Sequence, residues 1–201
     1  MMNINNNFSP VFGAKFQNIV KISKLEDGSK KYADETASFV KIEPTNIADI
    51  NALKNIATYW KDASFATNIY YAASAIRNDS KFYKNHMVFA LTSQKSDFEK
   101  LDDDKILGII HIAPLNKFWL FIEQLQANPK YIYKKDSLYK GIGTGILNSV
   151  KGMCSKMSCF PAESESVKKF YAKNGFYEED KLANSYVWYR DIMDTLFNFK
   201  P

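Results

Sequence analysis

Lys140-Gly141-Ile142-Gly143-Thr144-Gly145 and, about twenty residues on, Ser166-Val167-Lys168-Lys169-Phe170-Tyr171-Ala172-Lys173-Asn174-Gly175-Phe176 are the two stretches that decide the fold. Glycines at 141, 143 and 145 let a chain turn tightly and let a ligand approach its main chain closely. The helix they open exposes N–H groups and a partial positive charge at its start, and Lys140 adds a full one. A pyrophosphate suits such a cradle. The second stretch reads as a helix stopped by a left-handed cap at Asn174-Gly175. It delivers the phenol of Tyr171 to the same end of a sheet.

Two other phosphate loops fail on spacing. A Walker loop needs Gly-Lys-Ser/Thr after its glycines, and that run is absent. A dinucleotide fingerprint needs a small residue where Ile146 stands and belongs early in a βαβ unit. Glu163 lies at the distance that fingerprint asks for, but it follows a short cysteine-containing strand.

Working outward, 201 residues suit one domain, or one with a short appendage, and 46% hydrophobic residues supply a sizeable core. The formal charge of +5 is a mild excess. It suits a polyanionic ligand, and with no clustered patch it predicts no nucleic-acid partner. Cys154 and Cys159 have no metal-ligand spacing and suggest neither a disulfide framework nor a bound metal; they read as buried free thiols of a reducing compartment. Met1 to Phe8 has no secretory pattern, and no apolar run approaches the roughly 20 residues of a spanning helix. A cytoplasmic protein with no membrane partner, monomeric or homodimeric, is expected.

Residues 1–36 read as an N-terminal extension, partly disordered, with a possible extra strand over Phe16 to Ile22 before a turn at Glu26-Asp27-Gly28-Ser29. A regular domain is expected over 37–192 and a tail over 193–201. Within the domain, a strand from Phe39 to Ile42 leads to a helix start at Pro44-Thr45-Asn46, with Ile47, Ile50, Leu53, Ile56 and Ala57 on one face. A second helix covers Phe65 to Ile76. Strands follow at Met87 to Thr92, Lys105 to Ile112 and Phe118 to Ala127, with a polar loop over Ser93 to Asp104. After the basic run from Lys130, a helix covers Gly143 to Met153 and buries Ile146, Leu147 and Val150. A strand at Met157 to Phe160, a helix at Ser164 to Lys173 and a strand at Ser185 to Asp191 complete the order. This is an α/β (α+β) layout, largely antiparallel at its start and not doubly wound.

With these residues in place, the chain resembles the GNAT superfamily of acetyl-CoA-dependent N-acetyltransferases. That family's turn, Gln/Arg-x-x-Gly-x-Gly/Ala, corresponds to Leu138-Tyr139-Lys140-Gly141-Ile142-Gly143. Its Leu-x-Val-x-Pro strand end corresponds to Leu125-Gln126-Ala127-Asn128-Pro129. Its Asn-x-x-Ala-x-x-Phe-Tyr-x-x-x-Gly-Phe helix corresponds to the run from Ser164 to Phe176. The resemblance covers about residues 38–191. It implies a mixed, mostly antiparallel central sheet with helices on both faces.

It also implies roles. Main-chain amides of Leu138, Tyr139, Lys140, Gly141, Ile142, Gly143 and Thr144, with Gly145 closing the turn, would hold the coenzyme A pyrophosphate. Leu125, Gln126 and Ala127 would pair with the pantetheine arm as if it were a strand. Ser164 stands where an Asn usually contacts the coenzyme, and Tyr171 would protonate the departing thiolate. Leu138 and Ser164 depart from the pattern, and the segment between Pro129 and Gly141 is longer than expected.

The reaction so implied moves an acetyl group from acetyl-CoA to a primary amine in a ternary complex. An alkyl ammonium must first lose a proton, so a carboxylate or a water relay is wanted. Glu123, a charge in an otherwise largely apolar run, is the expected base. No cysteine has a partner base, which argues against a covalent route. The acceptor is open between a polyamine or antibiotic, an amino-acid derivative, and a protein lysine or N-terminus. A catalytically silent acyl-CoA-binding domain is the alternative. His111 reads as a hydrogen-bonded core residue, and Trp60, Phe118 and Trp119 as packing aromatics.

Overall fold

Residues 14–60, 64–95, 100–132 and 137–190 are described by a computed structural model. Expectations for residues 1–13, for much of the loop before residue 100, for Tyr133 to Asp136 and for everything from Asp191 onward lie outside them.

Alternation along the strands feeds two apolar cores, one on each face of a single sheet. A hairpin of β1 (Lys15–Leu25) and β2 (Tyr32–Lys41) turns at Gly28, whose φ is +72°. Helices α1 (Ile47–Tyr59) and α2 (Ser64–Arg77) follow, then β3 (Met87–Thr92), β4 (Ile106–Pro114) and β5 (Trp119–Ala127). The short α3 (Pro129–Ile132) and β6 (Tyr139–Lys140) lead into α4 (Ile142–Lys151). The chain then runs through β7 (Lys156–Cys159), α5 (Glu165–Lys173), β8 (Tyr177–Asp180) and β9 (Ser185–Tyr189).

The nine strands lie in the order β6-β1-β2-β3-β4-β5-β7-β9-β8. Among the described residues only β5 and β7 pair in parallel; every other neighbouring pair is antiparallel. The mixed, mostly antiparallel α/β fold with helices on both faces is therefore present. Side chains of α1 and α2 fill one core, and those of α4, with Tyr171 of α5, fill the other.

Local chemistry explains the boundaries. Asn46 caps α1 by accepting from the N–H groups of Ala48 and Asp49. Leu53 and Ile56 of that helix are fully buried, each contributing about 1.5–3 kcal/mol. Ile47, expected on the same face, is 55% exposed as the first residue of the helix, while Ile50, one turn on, is buried. Ile146, Leu147 and Val150 of α4 are fully buried as their spacing requires.

Strand β1, expected in an extension, lies within the sheet between β6 and β2, and its Val20 and Ile22 belong to the core. Gly145 of α4 owes its lack of a side chain to this strand. A Cβ there would sit 2.5 Å from a methyl of Val20.

Two strands lie outside the sequence expectation. β8 is Tyr177-Glu178-Glu179-Asp180, exposed along its length and defined by its pairing to β9. β6 has two residues, held by Ser23 and Lys24 of β1. Neither carries an apolar period to read.

Buried Asp49 accepts a hydrogen bond from the Leu101 N–H at 3.1 Å, and its other oxygen has no partner. Burial raises its pKa from 3.8 to about 6, with the Leu101 bond opposing and Glu43 adding to the rise. The folded state thus holds this proton to higher pH than the unfolded chain does, so stability falls as pH rises from about 4 to about 6 and stays lower above. Asp49→Asn is expected to flatten that window and to raise stability at pH 8 by about 1–3 kcal/mol, measured by urea unfolding at pH 4, 6 and 8.

Candidate active site

The sheet opens where its one parallel pair ends. β5 and β7 pair over Trp119↔Lys156, Leu120↔Met157, Phe121↔Ser158 and Ile122↔Cys159, and the pairing goes no further. Beyond Ile122, Leu125, Gln126 and Ala127 keep their ladder to β4 through Ile110, Ile109 and Gly108. Their other edge faces the fork. Main-chain groups on such an edge accept an extended, amide-bearing guest as a further strand. The Gln126 side chain accepts from the Ala66 N–H of α2 at 2.8 Å, which fixes that helix to the strand.

Helix α4 starts beside this fork. Gly141 is its N-cap at φ +81°, and no side chain caps the helix. The first α4 bond runs from the Gly145 N–H to the Gly141 carbonyl at 2.8 Å. The N–H groups of Ile142, Gly143 and Thr144 precede that bond and are the orphan donors of the first turn. Gly145 is corrected accordingly: its amide is used inside the helix, and its smallness serves packing on Val20. Gly143 likewise makes room for a neighbour, since a Cβ there would lie 2.9 Å from the Phe170 ring. That contact brings α5 against the start of α4. Of the three glycines in this turn, only Gly141 needs to be glycine for its backbone.

Lys140 is committed elsewhere: its ammonium lies 3.6 Å from the centroid of the Tyr32 ring. The Tyr32 hydroxyl donates to the Ser137 carbonyl at 2.7 Å, and Leu25 N–H to the Leu138 carbonyl at 2.8 Å. The N-terminal hairpin therefore holds the residues that lead into the glycine turn, Leu138 and Tyr139 among them. Ser164 is exposed at the N-cap of α5, 2.7 Å from the Ser166 hydroxyl.

Tyr171 is 7% exposed and stands at the fork. Its hydroxyl lies beside the Cys159 thiol, at the last β7 position paired to β5. The ring meets Phe176 edge-on at 5.2 Å. Burial, aided by Cys159, holds the phenol far above its ordinary value, so the proton stays in place at any working pH. Burial also pushes the Cys159 thiol up to about 12 and Cys154 up to about 11; neither is a thiolate nucleophile.

On the other face of the sheet a β-bulge shapes the second half of the site. Across β4 and β5, His111 pairs with Gln124 and Ile112 with Ile122, so Glu123 is the extra residue. Ile122 and Leu125 both pack on the α4 core. The bulge thus turns Glu123 and Gln124 together toward α2. There they line a cleft of about 660 Å³ with Tyr71, Tyr83, His86 and His111. Glu123 is exposed in it. His111 is buried and hydrogen-bonded, as its apolar strand suggested. His86 escaped sequence reading, because nothing local marks it; only the β3–β4 register, with Val88 opposite His111, brings it to that wall. Trp60 is buried and Phe118 exposed; both lie apart from the residues lining the cleft.

No protein-family model matches this sequence, and no curated protein matches it significantly. Solved structures do match in fold. A candidate acetyltransferase from Exiguobacterium sp. 255-15 superposes with a TM-score of 0.51 at 11% identity, covering 81% of this chain and 99% of its own. AtaTR bound with AcCoA gives 0.51 at 12% identity, covering 81% of this chain and 98% of its own. A candidate GNAT-family acetyltransferase from Desulfovibrio desulfuricans gives 0.50 at 11% identity, over 76% and 98% of the two chains. The chain has the GNAT acetyltransferase fold.

Proposed function

We propose that this protein transfers an acetyl group from acetyl-CoA to a primary amine, directly and within a ternary complex. The observation that carries this reading is the fork between β5 and β7 with the Tyr171 phenol at its apex and the uncapped start of α4 beside it. The pyrophosphate meets the N–H groups of Ile142, Gly143 and Thr144, and the pantetheine arm lies along Leu125, Gln126 and Ala127. The thioester then faces the cleft that carries Glu123. A carboxylate among tyrosine rings suits a cationic amine, and Glu123 is its anchor and the first group to meet its protons. The amine nitrogen attacks the thioester carbonyl, the C–S bond breaks, and Tyr171 gives its proton to the departing sulfur. Binding of AcCoA by a structure of the same fold supports the choice of donor. The buried free thiols support a reducing, cytoplasmic setting, and no helix among the described residues is long and apolar enough to cross a membrane.

A second reading, a silent acyl-CoA-binding domain, draws on two positions. Leu138 packs against the core and the Ser164 hydroxyl is turned to Ser166, so neither offers the side-chain contact the family pattern would supply. Calorimetry with coenzyme A and a thiol-release assay over a panel of amines separate the readings. Coenzyme A binding with thiol release is expected for the transferase, and binding without release for any amine favours the silent domain. Gly141→Val is expected to weaken coenzyme A binding about tenfold, because a β-branched residue at positive φ costs about 1–2 kcal/mol. Nothing lies within 4 Å of the added Cβ, so that loss reports the backbone alone.

A further inference from the structure

We propose that His86 is the base that receives the amine's proton, and that His111 and Gln124 hold it in the one tautomer able to do so. This rests on the transferase reading and adds to it the group that takes the surplus proton of the attacking amine. The chain has two histidines, and they are bonded to each other. His86 Nδ1 lies 2.8 Å from His111 Nε2, and His111 Nδ1 lies 2.9 Å from the Gln124 Oε1.

The protons along this chain follow from valence. The Gln124 oxygen only accepts, so His111 Nδ1 carries a hydrogen. A neutral imidazole has one N–H, so His111 Nε2 is bare and accepts from His86 Nδ1. His86 Nε2 is then left with a free lone pair. The ring is half-buried on the wall of the cleft. Tyr83 meets it edge-on at 4.9 Å, Tyr71 lines the same cleft from α2, and Glu123 supplies the nearby negative charge from β5. Burial pushes His111 down to about 4, and burial also lowers His86 while Glu123 pulls it back. Both rings are neutral near pH 7, the state the chain requires.

In the step so assigned, the ammonium first gives one proton to water in the cleft, the amine nitrogen then forms a bond to the acetyl carbon, and its surplus proton passes to His86 Nε2. The C–S bond breaks, and the sulfur takes the electron pair and the Tyr171 proton. The amide and the coenzyme A thiol leave; the imidazolium returns its proton to water and the phenolate regains one. Glu123 beside His86 stabilises the imidazolium while it exists. His111 and Gln124 are positioning residues, acting only through His86.

Two histidines give four ring nitrogens, so a nitrogen-15 histidine spectrum of the intact protein reads the tautomers directly. Both rings are expected to carry hydrogen on Nδ1 and none on Nε2 at pH 7.5. A spectrum with His86 protonated on Nε2 overturns the proposal, with or without an acceptor in hand. With acetyl-CoA and tyramine as probes, His86→Ala is expected to lower kcat/KM about a hundredfold. It should leave KM for acetyl-CoA unchanged and remove the rise in rate on the acidic side of the pH profile. His111→Asn is expected to scramble the His86 tautomer in the spectrum. An unchanged rate and profile in His86→Ala sinks the base assignment while the transferase stands. Wild-type protein that releases no thiol with any amine sinks the transferase reading instead.

Discussion

Tyr171→Phe is expected to lower kcat by a hundredfold or more while coenzyme A binds within about twofold of the wild-type affinity. Loss of a positioned general acid removes about 10²–10⁴ in rate, and a hundredfold is about 2.7 kcal/mol of barrier. Phenylalanine keeps the ring that packs on Phe176 and loses only the hydroxyl that meets Cys159. The fold and the phosphate cradle at α4 are untouched. A leaving-group test isolates the chemistry: with an acetyl thioester of an acidic aryl thiol, which departs without help, the deficit should shrink toward tenfold. A deficit that stays constant across thioesters would give Tyr171 a packing role only.

The second large effect concerns Gly145. Gly145→Ala adds a methyl 2.5 Å from Val20, where overpacking costs about 1–3 kcal/mol. Helix propensity returns about 1 kcal/mol, so the net loss is about 0–2 kcal/mol. Val20→Ala alone opens a cavity and also destabilises. The double variant should recover most of the Gly145→Ala loss, since the new methyl occupies the space vacated. Urea unfolding of the four proteins measures the coupling. Simple additivity would mean that β1 does not press on α4 as described.

Much of the fold was legible because long apolar periods survive into the structure. Ile146, Leu147 and Val150 point inward in α4, and Asn46 caps α1 as its position before Ile47 suggested. The approach of Tyr171 to the fork followed from the helix that carries it and its stop at Gly175, φ +78°. What escaped the sequence depends on partners distant along the chain. The glycines at 143 and 145 look alike in the turn, yet Phe170 and Val20 give each a separate packing duty. Lys140 reads as a charge for phosphate and lies over Tyr32. β8 is held by its neighbour against a charged, exposed sequence. The pairing of His86 with His111 needs the β3–β4 register, which no local pattern fixes.

The extra residue at Glu123 makes strand length a determinant of chemistry. Deleting it would close the bulge and leave Ile112 opposite Ile122 and His111 opposite Gln124, so Leu125 stays in its core and the Gln126 oxygen stays on Ala66. Only the carboxylate would leave the cleft, while Gln124 stays opposite His111 and the imidazole pair keeps its reference point. The unpaired position thus carries a charge into the cleft without disturbing donor groove, helix anchor or proton acceptor, so the strand can vary there while its paired positions stay fixed.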